Sequence, residues 1–294
     1  MNGIPAVEAK LSLNISSHSA DVLRMLTLFL LLAMQVVIPG ELSCVGSIRE
    51  EAISADVYVA GVDNEGTTTL ASPGQILYLN GPHLTDLKPG TVHKVVRLEG
   101  TIDDPSTHVV LGTYFKDIGK IRIEKVGKGN AVARVLSACQ GIIKGDLVIP
   151  YIEKPAIEFK GDLSNSLTPI GTGLTGSILL GKDDSRMIGQ GQFCFIGLGS
   201  RDGVKLGDRF TIYRPHPEFN PNDMSSGGAG AFLTYSSRER NGYQEKMTTA
   251  LRSRALPPII LGDIVVVEVG AGASTAKVIN SLSEISPGDM VVRK

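Results

Sequence analysis

Residues 119 to 149, GKIRIEKVGKGNAVARVLSACQGIIKGDLVI, align without a gap on residues 262 to 292, GDIVVVEVGAGASTAKVINSLSEISPGDMVV. Eleven of the 31 columns are identical, among them Val126/Val269, Gly127/Gly270, Gly129/Gly272, Ala133/Ala276, Val135/Val278 and Gly145-Asp146/Gly288-Asp289. A chain that carries one pattern twice folds into two copies of one unit, so the architecture reduces to that of a single repeat. Upstream, residues 74 to 97 align on residues 191 to 214 in the same order, sharing Gly-Gln at the start, Lys-x-Gly in the turn and a closing Arg97/Arg214. Val57 to Gly61 resembles Ser177 to Gly181, which extends each copy back by one strand. The units therefore fall at 54 to 150 and 176 to 294, with a linker at 151 to 175 and an export-like segment at 1 to 46.

Within each copy the periodicity is that of strands. Apolar runs such as Ile264 to Val267 and alternating stretches such as Thr275 to Ile279 are short, β-branched and bounded by Gly, Pro, Asn or Asp. Gly127 to Gly129 and Gly270 to Gly272 suit hairpin turns at positive φ. Gly90, Gly145, Gly207 and Gly288 mark turns into a following strand. Asp146, Asp208 and Asp289 stand where a carboxylate accepts backbone N–H groups, and Thr91 replaces the acid in the remaining copy. The expected fold is all-β: two tandem homologous small β-barrel or sandwich domains. The copies differ by 26 residues between Arg214 and Leu261. That insertion, 215 to 260, begins as a Gly/Ser/Asn/Pro-rich loop and continues as a short helix capped by Asn241, with Tyr243, Met247, Ala250 and Leu251 on one face. Its Arg238, Arg240, Arg252 and Arg254 form the one locally basic cluster, either a solvated face or a contact for an anionic partner.

Leu26 to Ile38 is an uncharged apolar run of thirteen residues with Arg24 before it. A bilayer span takes about 20 residues, whereas the apolar core of a secretory leader takes about 7 to 15, so export is expected, with a buried core helix as the plainer alternative. Cleavage after Gly46 would follow small residues at Cys44 and Gly46, and Met25 is an alternative start. Cys44 is also a candidate for lipidation, which would add peripheral membrane association. Cys139 and Cys194 lie in apolar strand-like stretches and suit either a disulfide or two buried thiols.

The charge balance, 29 Lys+Arg against 30 Asp+Glu, argues against nucleic acid as a partner. Gly171 to Gly176 matches GxGxxG, but a strand-like SILL follows where a dinucleotide site needs a helix. Gly176 to Asp183 approaches a P-loop, yet Asp183 replaces the hydroxyl that would hold magnesium. His83, His93, His108 and His216 show no metal-binding spacing, and Asp183-Asp184 alone do not make a calcium site. No catalytic, cofactor or metal residues are therefore assigned.

The second copy, with DGVKLGDRFTIYR, an insertion, and LGDIVVVEVGAGASTAKVINSLSEISPGDMVVRK, resembles the C-terminal domain of flagellar assembly protein T and related β-domains of bacterial envelope proteins. The resemblance covers about the last hundred residues and implies a fold and an envelope setting. The expectation is an exported, periplasmic or outer-membrane-associated, non-enzymatic scaffold or binding module in envelope assembly, with other envelope proteins or peptidoglycan as partners. The alternative is an envelope hydrolase or ligand-binding enzyme with its site between the two β-domains.

Overall fold

The computed structural model describes residues 36–37, 41–63, 70–105, 107–159, 162–216 and 256–294. Among them the chain is built from strands and short 3-10 turns, without an α-helix. The helix expected within 215 to 260 lies outside the described residues.

Two closed six-stranded antiparallel barrels stand in tandem. The first uses β3 (Tyr58–Val62), β4 (Ile76–Asn80), β5 (Val92–Asp103), β6 (Val110–Val126), β7 (Ala131–Ala138) and β8 (Leu147–Pro150) in the order β3-β4-β7-β6-β5-β8. It closes through β8 on β3 at Tyr58↔Leu147. The second uses β10 (Thr175–Gly181), β11 (Phe193–Ile196), β12 (Arg209–Arg214), β13 (Ile259–Val269), β14 (Ser274–Ser281) and β15 (Met290–Arg293), in the matching order β10-β11-β14-β13-β12-β15. Aligned residues occupy equivalent places. The Gly74 N–H donates to the Val135 carbonyl and the Gly191 N–H to the Val278 carbonyl, both at 2.8 Å. The lone bridges Ala71↔Ile142 and Ile188↔Ile285 coincide in the same way.

The hairpin glycines act differently from expectation. Gly127, Gly129, Gly270 and Gly272 do not take positive φ. Each turn instead closes through one short bond, Gly127 N–H to the Asn130 carbonyl at 2.8 Å and Gly270 N–H to the Ala273 carbonyl at 2.9 Å. A Cβ on Gly270 would stand 2.6 Å from that Ala273 oxygen, so close approach selects glycine there.

Each barrel interior is filled by its own apolar set, including Leu77, Leu79, Ile121, Ile123 and Ala133 in the first and Cys194, Ile196, Phe210, Ile264 and Ala276 in the second. In β7 burial alternates with exposure, as for a strand with one wet face. In β11 all four residues are buried. The outer face of the second barrel is covered as well, which explains why its strands read as continuous apolar runs.

That cover comes from the first unit. Beyond Arg97 and Gly119, β5 and β6 leave their barrel as a hairpin arm, and β2 (Ser47–Arg49) adds to the arm at Thr113–Phe115. The arm, the 3-10 turn Glu41–Cys44 and Val45 press Leu42, Val45, Ile48 and Tyr114 against Leu179, Phe193, Phe195, Val265 and Ile279. Tyr114 and Phe195 meet edge-on at 5.1 Å. At about 1.5–3 kcal/mol per fully buried large apolar side chain, this shared seam is comparable in weight with either interior. The seam itself is packed apolar core, and a recess of about 310 Å³ opens beside it, edged by Phe193, Gln192 and Asp183, the last accepting from Gln140 of the first unit at 3.4 Å. Polar links frame the seam: Asp104 accepts from the Ser177 hydroxyl at 3.0 Å, Lys154 pairs with Glu268 at 2.7 Å, and Arg201 pairs with Glu50.

The units also reach further upstream than the repeat first indicated. β1 (Val36–Val37) pairs antiparallel with β9 (Ile157–Glu158), in the register Val36↔Glu158 and Val37↔Ile157. The segments VVIPGELS (36 to 43) and IEFKGDLS (157 to 164) align without a gap, sharing Gly, Leu and Ser, so β1 and β9 are the same strand of the two copies. Equivalent strands pairing reciprocally define a local two-fold. Residues placed before the first domain and in the linker are thus structural parts of each unit.

Candidate functional site

The repeated Gly-Asp turns come first, because they recur in both barrels. Gly90, Gly145, Gly207 and Gly288 take φ of 84°, 89°, 85° and 92°, where a Cβ would be strained. The following carboxylate closes its turn on a backbone N–H three residues back: Asp146 accepts from Ile143 at 2.9 Å, Asp208 from Lys205 at 3.0 Å and Asp289 from Ser286 at 2.7 Å. Thr91 instead donates its hydroxyl to the Lys88 carbonyl at 2.6 Å.

The closing arginines of the repeat complete these turns. Arg97 clamps Asp146 through Nε and Nη2 at 2.7 and 2.9 Å and donates to the Gly141 carbonyl at 3.0 Å. Arg214 holds Asp289 through the same two nitrogens at 2.6 and 2.9 Å. A two-pronged guanidinium on a buried carboxylate is a geometry lysine cannot supply. This latch, between the third and last strands of each barrel, was hidden in two separately recognised motifs.

The second feature is a polar nest at one end of the second barrel. Asp263 on β13 is wholly buried; it accepts from the Ser164 N–H at 2.5 Å, the Ser164 hydroxyl at 2.7 Å and the Thr211 hydroxyl at 3.3 Å, and pairs with Lys294 at 2.8 Å. Burial pushes the Asp263 carboxyl up, but the hydrogen bonds from Lys294 and Ser164 and the charge of Lys294 outweigh it, so the group is held below the ordinary carboxylate value. Asn280 donates to the Ser164 carbonyl at 2.8 Å, tying down the segment that covers the barrel end. Beside this nest lies a recess of about 450 Å³, edged by Asp162, Asn165, Thr168, Thr211, Arg293 and Lys294. Its size falls within the range of small-ligand sites.

The equivalent place in the first barrel is closed and carries other charges. Lys94 stands where the second copy has Thr211, Lys120 where it has Asp263, and Tyr151 where it has Lys294. Lys94 pairs with the buried Asp117 at 2.8 Å. Lys120 lies 4.2 Å from the Tyr151 ring centroid and donates to its hydroxyl at 2.8 Å. Only about 10 Å³ remains there, between Leu42-Ser43 and these side chains. Leu42-Ser43 is the counterpart of Leu163-Ser164, so the same short segment caps both barrels. None of Ser164, Thr211, Asp263 or Lys294 was singled out from sequence; the shared Leu-Ser step is a signal for Ser164 alone, because Lys94, Lys120 and Tyr151 replace the other three in the first copy.

The cysteines pair in a way not foreseen. Cys44 is bonded to Cys139, 95 residues away, with Cα atoms 5.7 Å apart, while Cys194 is free and buried. A Cys139–Cys194 pair and a free Cys139 are both ruled out. The sulfur of Cys44 is engaged, so this bond and a lipid on the same atom are mutually exclusive. Burial pushes the Cys194 thiol up to about 12, which makes it unreactive. His83 pairs with Asp86 on the surface at 3.0 Å, and burial lowers the half-buried His93. Thr175–Gly181, which holds most of the P-loop-like stretch, is strand. Among the described residues there is no group of three or more His, Cys, Asp or Glu placed to hold a metal ion. Arg238, Arg240, Arg252 and Arg254 lie outside the described residues. No protein-family model and no curated protein matches the chain.

Proposed function

We propose that this is an exported, non-enzymatic protein of the bacterial cell envelope, a two-barrel scaffold or binding module that engages other envelope proteins or peptidoglycan. The observation that carries the reading is the Cys44–Cys139 bond, because disulfides that tie a fold together persist in oxidising compartments. The apolar run at Leu26 to Ile38 and the resemblance of the second unit to envelope β-domains support it. The polar groups repeated in both barrels are spent on latching turns, as in a scaffold whose partners meet loops and outer surfaces. The test is cell fractionation followed by cross-linking and pull-down from envelope extracts. Recovery of a specific envelope protein or of peptidoglycan is expected, whereas a cytoplasmic protein with reduced Cys44 and Cys139, or an exported one that captures neither, defeats the reading.

A second reading, ligand binding, is favoured by the recess beside Asp263, which lies on the second barrel under residues 162 to 171. A ligand held there raises the melting temperature of the native protein but not that of Thr168→Trp, whose ring fills the recess; equal shifts in both remove this reading.

A further inference from the structure

We propose that the exported protein retains every residue from Val36 onward, so that any leader is cut upstream of Val36 and Cys44 arrives as a disulfide partner, neither lost with a leader nor acylated. The inference rests on the export reading above and specifies where processing stops.

Four independent observations meet on this segment. Val36 and Val37 pair with Glu158 and Ile157, so a strand would lose its partner if they were removed. Val37, Leu42 and Val45 are each 1% exposed and belong to the seam between the barrels. A cut after Gly46 would therefore uncover apolar surface on Leu179, Phe195 and Ile279. Cys44 holds Cys139, and its loss would leave that thiol without its partner. Finally, VVIPGELS (36 to 43) has its copy IEFKGDLS (157 to 164) in the middle of the chain, where no leader is removed, and both copies place Leu-Ser over a barrel end. A segment that the second unit needs for its fold is a segment of the domain in the first.

Enough leader remains for export. Leu26 to Gln35 is ten residues without a charge, preceded by Arg24, within the about 7 to 15 residues of an apolar leader core; no pair of small residues of the kind a signal peptidase reads stands just before Val36, so a chain that keeps the leader attached satisfies the proposal as fully as one cut upstream. The thirteen-residue run is therefore two things in series: a leader core, and from Val36 a strand that happens to be apolar.

The protein is purified from the envelope fraction of its own host without reductant, alkylated and digested, and its terminal and disulfide-linked peptides are identified by mass spectrometry. The expected result is an N-terminus at or before Val36 and a linked peptide joining Cys44 to Cys139. An exported chain that starts at Ser47, or at an acylated Cys44, overturns the proposal while leaving export intact. A chain confined to the cytoplasm with both cysteines alkylated overturns the export reading, and the proposal falls with it. In a second measurement, a foreign leader directs chains starting at Val36 or at Ser47 to the same compartment. The Ser47 form is expected to be digested at least about tenfold faster, because proteolysis follows the population of opened chains; equal resistance overturns the proposal.

Discussion

Arg97 reaches a carboxylate with 2% of its side chain exposed, and that contact shapes what a substitution costs. Arg97→Ala leaves Asp146 buried with one backbone donor, and hydrogen bonds to charged groups contribute about 1.5–3 kcal/mol, so a loss of that size is expected in urea unfolding. Arg97→Lys restores only part of it, because the paired contact cannot be rebuilt. Asp263 gives a pH signature. Its carboxyl is held below the ordinary value, so its contribution is fully present above the unfolded-chain value near 4 and is lost as pH falls through the lower folded value. Asp263→Asn is expected to be less stable at neutral pH and to show a shallower decline on acidification; a parallel decline would remove Asp263 from the account. Cys194 makes a counting prediction. Without reductant, the native protein exposes no reactive thiol and the denatured protein exposes one, rising to three when reductant is added.

At the scale of elements, the hairpin of β5 and β6 does two jobs along one length. Near its base it closes a barrel; beyond Arg97 it becomes the cover of another. Phe195→Ala removes the ring that the arm packs on, and large-to-small core changes of this kind cost about 3–5 kcal/mol. Gly112→Ala acts at the arm edge, where a Cβ would stand 2.5 Å from the Arg49 carbonyl, and should loosen β2, read as faster amide exchange at Ser47 to Arg49. How far these elements can be read from the chain depends on what repeats. The strands from β7 to β8 and from β14 to β15 are legible because the same residues and Gly-Asp turns recur at a constant offset, even though burial alternates along β7 and is nearly continuous along β14. The arm is not legible: residues beyond Arg97 have no counterpart in the second copy, where the same hairpin carries the insertion between Arg214 and Leu261. The cap was concealed because three identities in eight columns are few and its first copy runs on from a leader-like stretch. Asp263 escaped notice because its partners come from three distant stretches of chain, and Cys44 and Cys139 because no short spacing links them.

The whole molecule is coupled through its seam, since the outer face of the second barrel is buried by side chains from the first unit. Calorimetry should therefore show one unfolding transition, and two well-separated transitions would mean that the seam contributes little. Reduction of Cys44–Cys139 opens a loop of 95 residues, which in the chain-entropy account lowers stability by about 4–5 kcal/mol. The reciprocal pairing of β1 with β9 has a consequence of another kind. Between two separate single-unit chains, such a contact would form and dissolve with concentration, as subunit contacts do. Placed within one chain, each strand meets its counterpart at an effective concentration fixed by the tether, so a contact of dimer type survives any dilution, including that of a protein released beyond the cell.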